Sequence, residues 1–247
     1  MKARINEIFS SIQGEGPVVG YKQLFIRFCG CNLNCEYCDT EFAKGVEYSP
    51  QELFEKITKE YNLKTFHSVS LTGGEPLLSA DFLTEFLNVY KHCHSEANKM
   101  GSLANVQNVG AAEESHIFPK IYLETNATLS DELIKVKPYI DIISADIKLK
   151  SSTGLDVMKL HEKFFENCNG VDTFAKIVFD TDITEDEISK CCILSEKYCV
   201  PLVLQPKMVE NKMSVSSEFC EEVLEKFTAK CRNVRLIPQV HKFLNVR

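Results

Sequence analysis

The 247-residue sequence predicts an α/β fold, an incomplete parallel (β/α) barrel of about six βα units. Strand-like apolar runs alternate with amphipathic ones along the chain, the order expected of a parallel sheet with helical crossovers. The pairs fall short of the eight that close a barrel, so the sheet should curve without closing. The length suits one hydrophobic core, and residues 1–247 are expected to form a single domain.

The first strand-like run is KQLFIRF (22–28), followed by helix-like SPQELFEKITKEY (49–61). Ser49, Pro50 and Glu52 form a capping box with proline at the first helical position, which fixes that helix start. SVSLT (68–72) and ADFLTEFLNVYKHC (80–93) make the second pair, KIYLET (120–125) and DELIKVKPY (131–139) the third. DIISADIKL (141–149) is a fourth strand and DTFAKIVF (172–179) a fifth, followed by TEDEISKCCILSEKY (184–198), whose Thr184 and Glu187 form another capping box. PLVLQP (201–206), SSEFCEEVLEKFTAK (216–230) and NVRLIP (233–238) complete the alternation. Residues 94–117 break the rhythm, with few apolar residues and no period, and read as a polar insertion, part of which can form a short helix.

In such a sheet, ligands sit beyond the C-terminal ends of the strands. The segments rich in polar and glycine residues fall there: 29–40 after the first strand, 73–76 after the second, 124–126 after the third, 144–148 ending the fourth and 205–208 ending a later one.

The formal charge of −7 and a pI near 5.5 argue against a broad phosphate-binding surface, so no nucleic-acid partner is expected and the substrate should be small. No apolar run reaches the length of a signal peptide's core or a membrane span, and a cytoplasmic location with no membrane partner is expected. Eleven cysteines, odd in number and mostly scattered, make no disulfide framework. After Glu225 no acidic residue follows, whereas Lys226, Lys230, Arg232, Arg235, Lys242 and Arg247 do.

Four cysteines lie within CGCNLNCEYC (29–38). Cys31, Cys35 and Cys38 are spaced C-x3-C-x2-C, and no second pair follows to complete a structural zinc site. His67, His92 and His94 are the histidines that a zinc reading would recruit. Three thiolates on a four-iron cubane would leave one iron open for a ligand. Cys29, still on the strand, reads as a buried thiol rather than a ligand.

CNLNCEYC, with Tyr37 before the third cysteine, resembles the signature of the radical S-adenosylmethionine (SAM) enzymes. The resemblance implies a 4Fe-4S cluster on Cys31, Cys35 and Cys38, SAM on the open iron, and a 5′-deoxyadenosyl radical from its reductive cleavage. GGEP (73–76) resembles that superfamily's contact to the methionyl amino group, with Gly74 the residue carried over. The order of LETNAT (123–128), SADIK (144–148) and LQPKM (204–208) resembles SAM-contact segments. It implies Tyr37, Asp39, Ser144, Gln205, Pro206, Lys207 and Met208 as cofactor contacts, although SADIK departs from the Ser-Pro-Lys of many members.

SIQGEGPVVG (11–20), Arg27 and Asp39-Thr40 together resemble the 7-carboxy-7-deazaguanine synthases, from about residue 5 to PQVHK near the end. That family converts 6-carboxy-5,6,7,8-tetrahydropterin to 7-carboxy-7-deazaguanine with loss of ammonia, on the route to queuosine and related 7-deazapurines. The resemblance implies substrate contacts at Ile12, Gln13, Gly14, Arg27 and Thr72, with Glu15 as a further candidate and Glu124 a candidate for the ribose or the reacting substrate. Arg27 offers a fixed fork for an anionic group. Thr40 matches the family's Mg²⁺ position, where substrate oxygens and waters would complete the shell. A flavodoxin-like or ferredoxin-like electron donor is implied, with the basic tail as its dock, and a homodimer is compatible with the sequence. Two rival readings stay open: a radical SAM activase that installs a glycyl radical on a protein partner, and a non-catalytic zinc-binding module.

Overall fold

The computed structural model describes residues 1–35, 45–104, 118–209 and 211–246, with the backbone alone for 94–104. The chain opens on β1 (Ala3–Ile12) and β2 (Lys22–Phe28), an antiparallel pair, and β3 (Val46–Tyr48) adds to the outer side of β1. Then α1 (Pro50–Glu60), β4 (Ser68–Gly73), α2 (Ala80–Ala104), β5 (Lys120–Thr125), α3 (Ser130–Val136) and β6 (Ile142–Ile147) alternate. After α4 (Lys150–Thr153) and α5 (Met158–Glu166) come β7 (Asp172–Phe179), α6 (Glu185–Tyr198) and β8 (Leu202–Pro206). A two-residue hairpin pair, β9 (Met208–Val209) and β10 (Lys212–Met213), precedes α7 (Ser217–Thr228), β11 (Val234–Leu236) and α8 (Val240–Phe243).

One nine-stranded sheet has the order β11-β8-β7-β6-β5-β4-β2-β1-β3, parallel from β2 to β11. It is the six-unit, incomplete barrel that the alternation implied, with β3 and β11 as its edges. β4 and β8 are buried almost throughout, because helices cover one face and the concave interior covers the other, and such strands read as continuous apolar runs. Both predicted capping boxes form: Glu52 N–H donates to Ser49 and Glu187 N–H to Thr184, each acidic side chain reaching back to its cap's N–H. α1 puts Leu53, Phe54 and Ile57 into the core, and each such side chain contributes about 1.5–3 kcal/mol on burial.

The short elements β3, α4, β9, β10 and α8 add to the sequence reading, and three longer ones depart from it. β1 was not anticipated: a bulge between Ile5 and Glu7 breaks its alternation, and much of it is only half-buried. α2 runs on to Ala104, into the segment read as an insertion, whose residues 105–117 lie outside the described ones. α5, too, is an addition, an amphipathic helix that buries His161, Phe164 and Phe165.

The sheet's two faces differ in chemistry. Toward the helices point Leu24, Ile26, Val69, Leu71, Ile121, Leu123, Ile143, Ala145, Ala175, Ile177, Leu202 and Leu204, all in the main apolar cluster. The alternate positions face the concave interior, which is apolar at its base, where Tyr122, Ile142, Phe174 and Val203 cluster. Two residues further along the same strands stand Glu124, Ser144, Lys176 and Gln205, and Asp146 lies two beyond Ser144. The interior turns polar toward the C-terminal rim.

Candidate active site

A cavity of about 240 Å³ opens at that rim. Ile12, Gln13, Gly14, Arg27, Cys31, Cys35, Thr72, Gly74, Glu124, Ser144, Gln205, Lys207 and Met208 all line it, together with Glu15. Pro206 is buried at the end of β8 and is not among the lining residues. Tyr37, Cys38, Asp39 and Thr40 lie outside the described residues.

The N-terminal loop enters the interior through glycines. A side chain at Gly16, where φ is +68°, would strike the ring of Phe174, and one at Gly14 would strike His241. The second approach is close because Val240 N–H donates to Gly14 O at 2.9 Å, which lays the C-terminal segment over the loop. His241 and Lys242 thereby reach the cavity. Gln13 is used up internally: its Nε2 donates to Gln23 and Glu124, each at 3.0 Å, and its Oε1 accepts Glu15 N–H. Glu124 is held by three donors, Gln13, Ser70 (3.1 Å) and Thr72 (2.7 Å). Arg27 lies over the Phe9 ring, 5.6 Å from its centre, and Phe9 stacks on Phe25.

A nearly buried ion network crosses the floor. Lys176 Nζ is 2.5 Å from Glu15 Oε2 and 3.4 Å from Asp146 Oδ2, which also takes Lys148 at 2.8 Å. Gln239 (2.5 Å) and Gln205 (3.3 Å) donate to the other Glu15 oxygen. Burial pushes the Glu15 carboxyl up, but Lys176 and the bonds from Gln239 and Lys176 outweigh it and bring it to about 2. For Lys176 burial works against the charge, yet Glu15, Asp146 and Glu124 hold it firmly protonated.

The cysteine loop is bound to the next strand's turn. Gly73 has φ +118°, and a Cβ there would strike the Phe28 backbone, so the position requires glycine. Gly74 N–H donates to Phe28 O (3.1 Å) and Glu75 N–H to Gly30 O (2.8 Å). With these donors spent, the turn has carbonyl oxygens to offer an amino group. The buried Glu75 carboxylate accepts from Leu77 N–H, Thr125 Oγ1 and Asn126 N–H, while burial pushes it up to about 7. His161 joins two further rim segments: Nδ1 bonds Ala127 O at 3.0 Å and Nε2 accepts Lys148 N–H at 2.9 Å. Burial lowers its basicity, so it stays neutral and keeps both bonds.

The donor chemistry fits the two cofactors that the sequence implied. Cys31 and Cys35 are outside any disulfide, and Cys31 Sγ receives N–H donors from Leu33 (3.4 Å) and Asn126 (3.7 Å), which suits a thiolate ligand. Asp146 Oδ1 and Gln205 Oε1 are buried with no partner among the described residues and belong to cavity-lining residues, acceptors matched to ribose hydroxyls or an amine. His67 stacks on Tyr21 at the start of β4, the end of the sheet opposite the cysteine loop. Lys176, Gln239 and the full role of Glu15 escaped the sequence reading. A lone lysine inside a buried strand was the available signal.

A family model described as the radical SAM superfamily matches residues 25–178. The chain is 33% identical to a 7-carboxy-7-deazaguanine synthase of Archaeoglobus fulgidus over the full length of both chains. It is 31% identical to one of Geobacter sulfurreducens, over 98% of this chain and 97% of that one. Among solved structures, the crystal structure of QueE from Escherichia coli superimposes with a TM-score of 0.66 at 21% identity, covering 98% of this chain and 95% of the other, a likeness of fold.

Proposed function

The chain belongs to the 7-carboxy-7-deazaguanine synthase family of radical SAM enzymes, and on that premise we propose that it converts 6-carboxy-5,6,7,8-tetrahydropterin to 7-carboxy-7-deazaguanine with release of ammonia. Its cofactors are a 4Fe-4S cluster and SAM. The observation that carries the reading is one cavity, lined both by the cysteine loop and by Gly14, Arg27 and Glu124. Bound together, the two cofactors supply a hydrogen-abstracting adenosyl radical, which needs its target within reach and water kept away.

The chain's residues divide the work. Cys31, Cys35 and Cys38 hold the cluster, and the Gly74 turn offers acceptors to the methionyl amino group. Asp146 and Gln205 take donors of the nucleoside. Ser144, Lys207 and Met208 line its side of the cavity. Arg27, stacked over Phe9, faces the substrate carboxylate with a planar fork. The Glu124 carboxylate, with three donors fixing its direction, accepts from the N–H edge of the pterin. Gln13 acts by positioning Glu124 and the loop, and Ile12 and Gly14 by shaping the wall. Tyr37 and Asp39 are read as lesser cofactor contacts, Pro206 as a residue that fixes the end of β8 behind the cavity wall, and Thr40 as the protein ligand of a Mg²⁺ shared with the substrate.

A reductant must deliver an electron to the cluster side. Of the basic tail, Lys226 is held by Glu185 and Glu222, and Lys230 precedes β11 at the sheet's opposite end, whereas Lys242 reaches the rim. We therefore read the rim around Lys242 as the approach of an acidic flavodoxin-like or ferredoxin-like donor.

Anaerobic incubation of reconstituted protein with the carboxypterin, SAM, Mg²⁺ and dithionite, read by mass spectrometry, tests the activity. The expected product is 7-carboxy-7-deazaguanine. Hydrogen abstraction from a polypeptide without that product would replace this reading with the activase.

A further inference from the structure

We propose that Asn126 tunes the electron affinity of the cluster by donating an N–H···S bond to Cys31, and that Asn32 and Thr128 exist beside it to lock that donor in place. The proposal rests on the reading that Cys31, Cys35 and Cys38 carry the cluster.

Asn126, in the segment 123–128 whose order resembles SAM-contact segments, lines the cavity and also reaches back to the cysteine loop. Asn126 Nδ2 lies 3.7 Å from Cys31 Sγ and 2.8 Å from Asn32 Oδ1, one hydrogen for each. Asn32 Nδ2 donates to Thr128 Oγ1 at 2.9 Å, and Thr128 Oγ1 donates to Asn126 Oδ1 at 2.6 Å, closing a ring of three side chains. The amide's orientation is determined, because Asn126 Oδ1 also receives the Thr128 backbone N–H at 3.2 Å, and a backbone N–H can only donate. The nitrogen must then face the sulfur.

The backbone is held just as firmly. Glu75 takes Asn126 N–H at 2.7 Å, Ala127 stands at φ +55°, and His161 bonds Ala127 O. A non-glycine residue in the left-handed region persists where its surroundings over-determine it. Asn126 and Thr128 are about 5% and 6% exposed, so water does not compete strongly for the amide. Hydrogen bonds to cluster sulfurs are among the features that set an iron–sulfur potential, and a donor favours the form with more negative charge. Asn126 should therefore ease reduction of the cluster.

The test is an EPR-monitored redox titration of the anaerobic holoprotein without SAM, on the parent, Asn126→Ala and Asn126→Asp, each first assayed for iron and sulfide. Asn126→Ala should keep its cluster and lower the reduced-to-oxidised ratio about tenfold at a fixed poise, about 59 mV for one electron. Asn126→Asp, which replaces the donor with a carboxylate, should shift it further in the same direction. Equal potentials in all three, or loss of the cluster from both variants, would overturn the proposal, the latter by making Asn126 a scaffold of the loop. A parent that binds no four-iron cluster would instead overturn the reading on which the proposal rests.

Discussion

Lys176→Met separates a structural use of the ion network from an incidental one. Lys176 holds Glu15 at 2.5 Å and Asp146 at 3.4 Å, with all three side chains between 13% and 16% exposed. Removing one partner of such a pair leaves uncompensated buried charge, at a cost of about 3–5 kcal/mol. The pH dependence is the sharper signature. In the parent, Glu15 falls from 4.5 to about 2, so its contribution, about 3 kcal/mol, is complete above pH 4.5 and lost only as pH falls toward 2. Without Lys176, burial dominates and Glu15 rises above 4.5, so the variant loses stability as pH rises from there. Glu75, raised to about 7, lowers the stability of both proteins alike as pH climbs from 4.5 to 7, so the informative quantity is the difference between them. Urea denaturation between pH 5 and 8, followed by far-ultraviolet circular dichroism because the chain has no tryptophan, should show that difference widening with pH. A difference below about 1 kcal/mol, or one independent of pH, would refute the argument, since each buried charge would then be compensated by other means.

Gly14→Ala should displace the C-terminal segment, because its Cβ would overlap His241, and raise KM for the carboxypterin about tenfold with cluster content unchanged; unaltered kinetics would show that the segment does not shape the site. Thr40→Ala should raise the Mg²⁺ concentration needed for half-maximal turnover about tenfold, and an unchanged Mg²⁺ titration would remove Thr40 from the site. Lys230→Glu, at the far end of the sheet, should leave both flavodoxin-supported and dithionite-supported turnover within about twofold of the parent; a loss confined to flavodoxin would restore the basic tail as the dock.

The parallel strands were legible because burial on both faces writes them as unbroken apolar runs, and the capping boxes at Ser49 and Thr184 needed only local spacing. β1 was illegible for the opposite reason: its bulge and half-buried middle erase the period on which a sequence reading depends. Within the site, loop motifs such as SIQGEG and GGEP were visible because glycine marks close backbone approach. Lys176 and Gln239 were hidden, because their meaning comes from Glu15, 161 and 224 residues away along the chain. In the segment 123–128 polarity was enough to place the residues on the rim, but only the partners of Asn126 reveal its bond to the cysteine loop.

The rim is also more tightly specified than a cavity lined by loops would need to be for stability alone. Gln13, Glu15, Glu75, Asn126 and His161 each satisfy two or more partners from different segments, and Gln13, Glu75, Asn126 and His161 are buried. A buried polar group adds little net stability even when well bonded, and it costs about 1–3 kcal/mol if a partner moves away. The same asymmetry makes these groups effective as restraints, because any displacement of one rim loop strands a donor or acceptor on another. A reaction that begins with hydrogen abstraction depends on sub-ångström placement of its target, and a set of mutually dependent polar bonds supplies that rigidity where apolar packing, tolerant of sliding, would not.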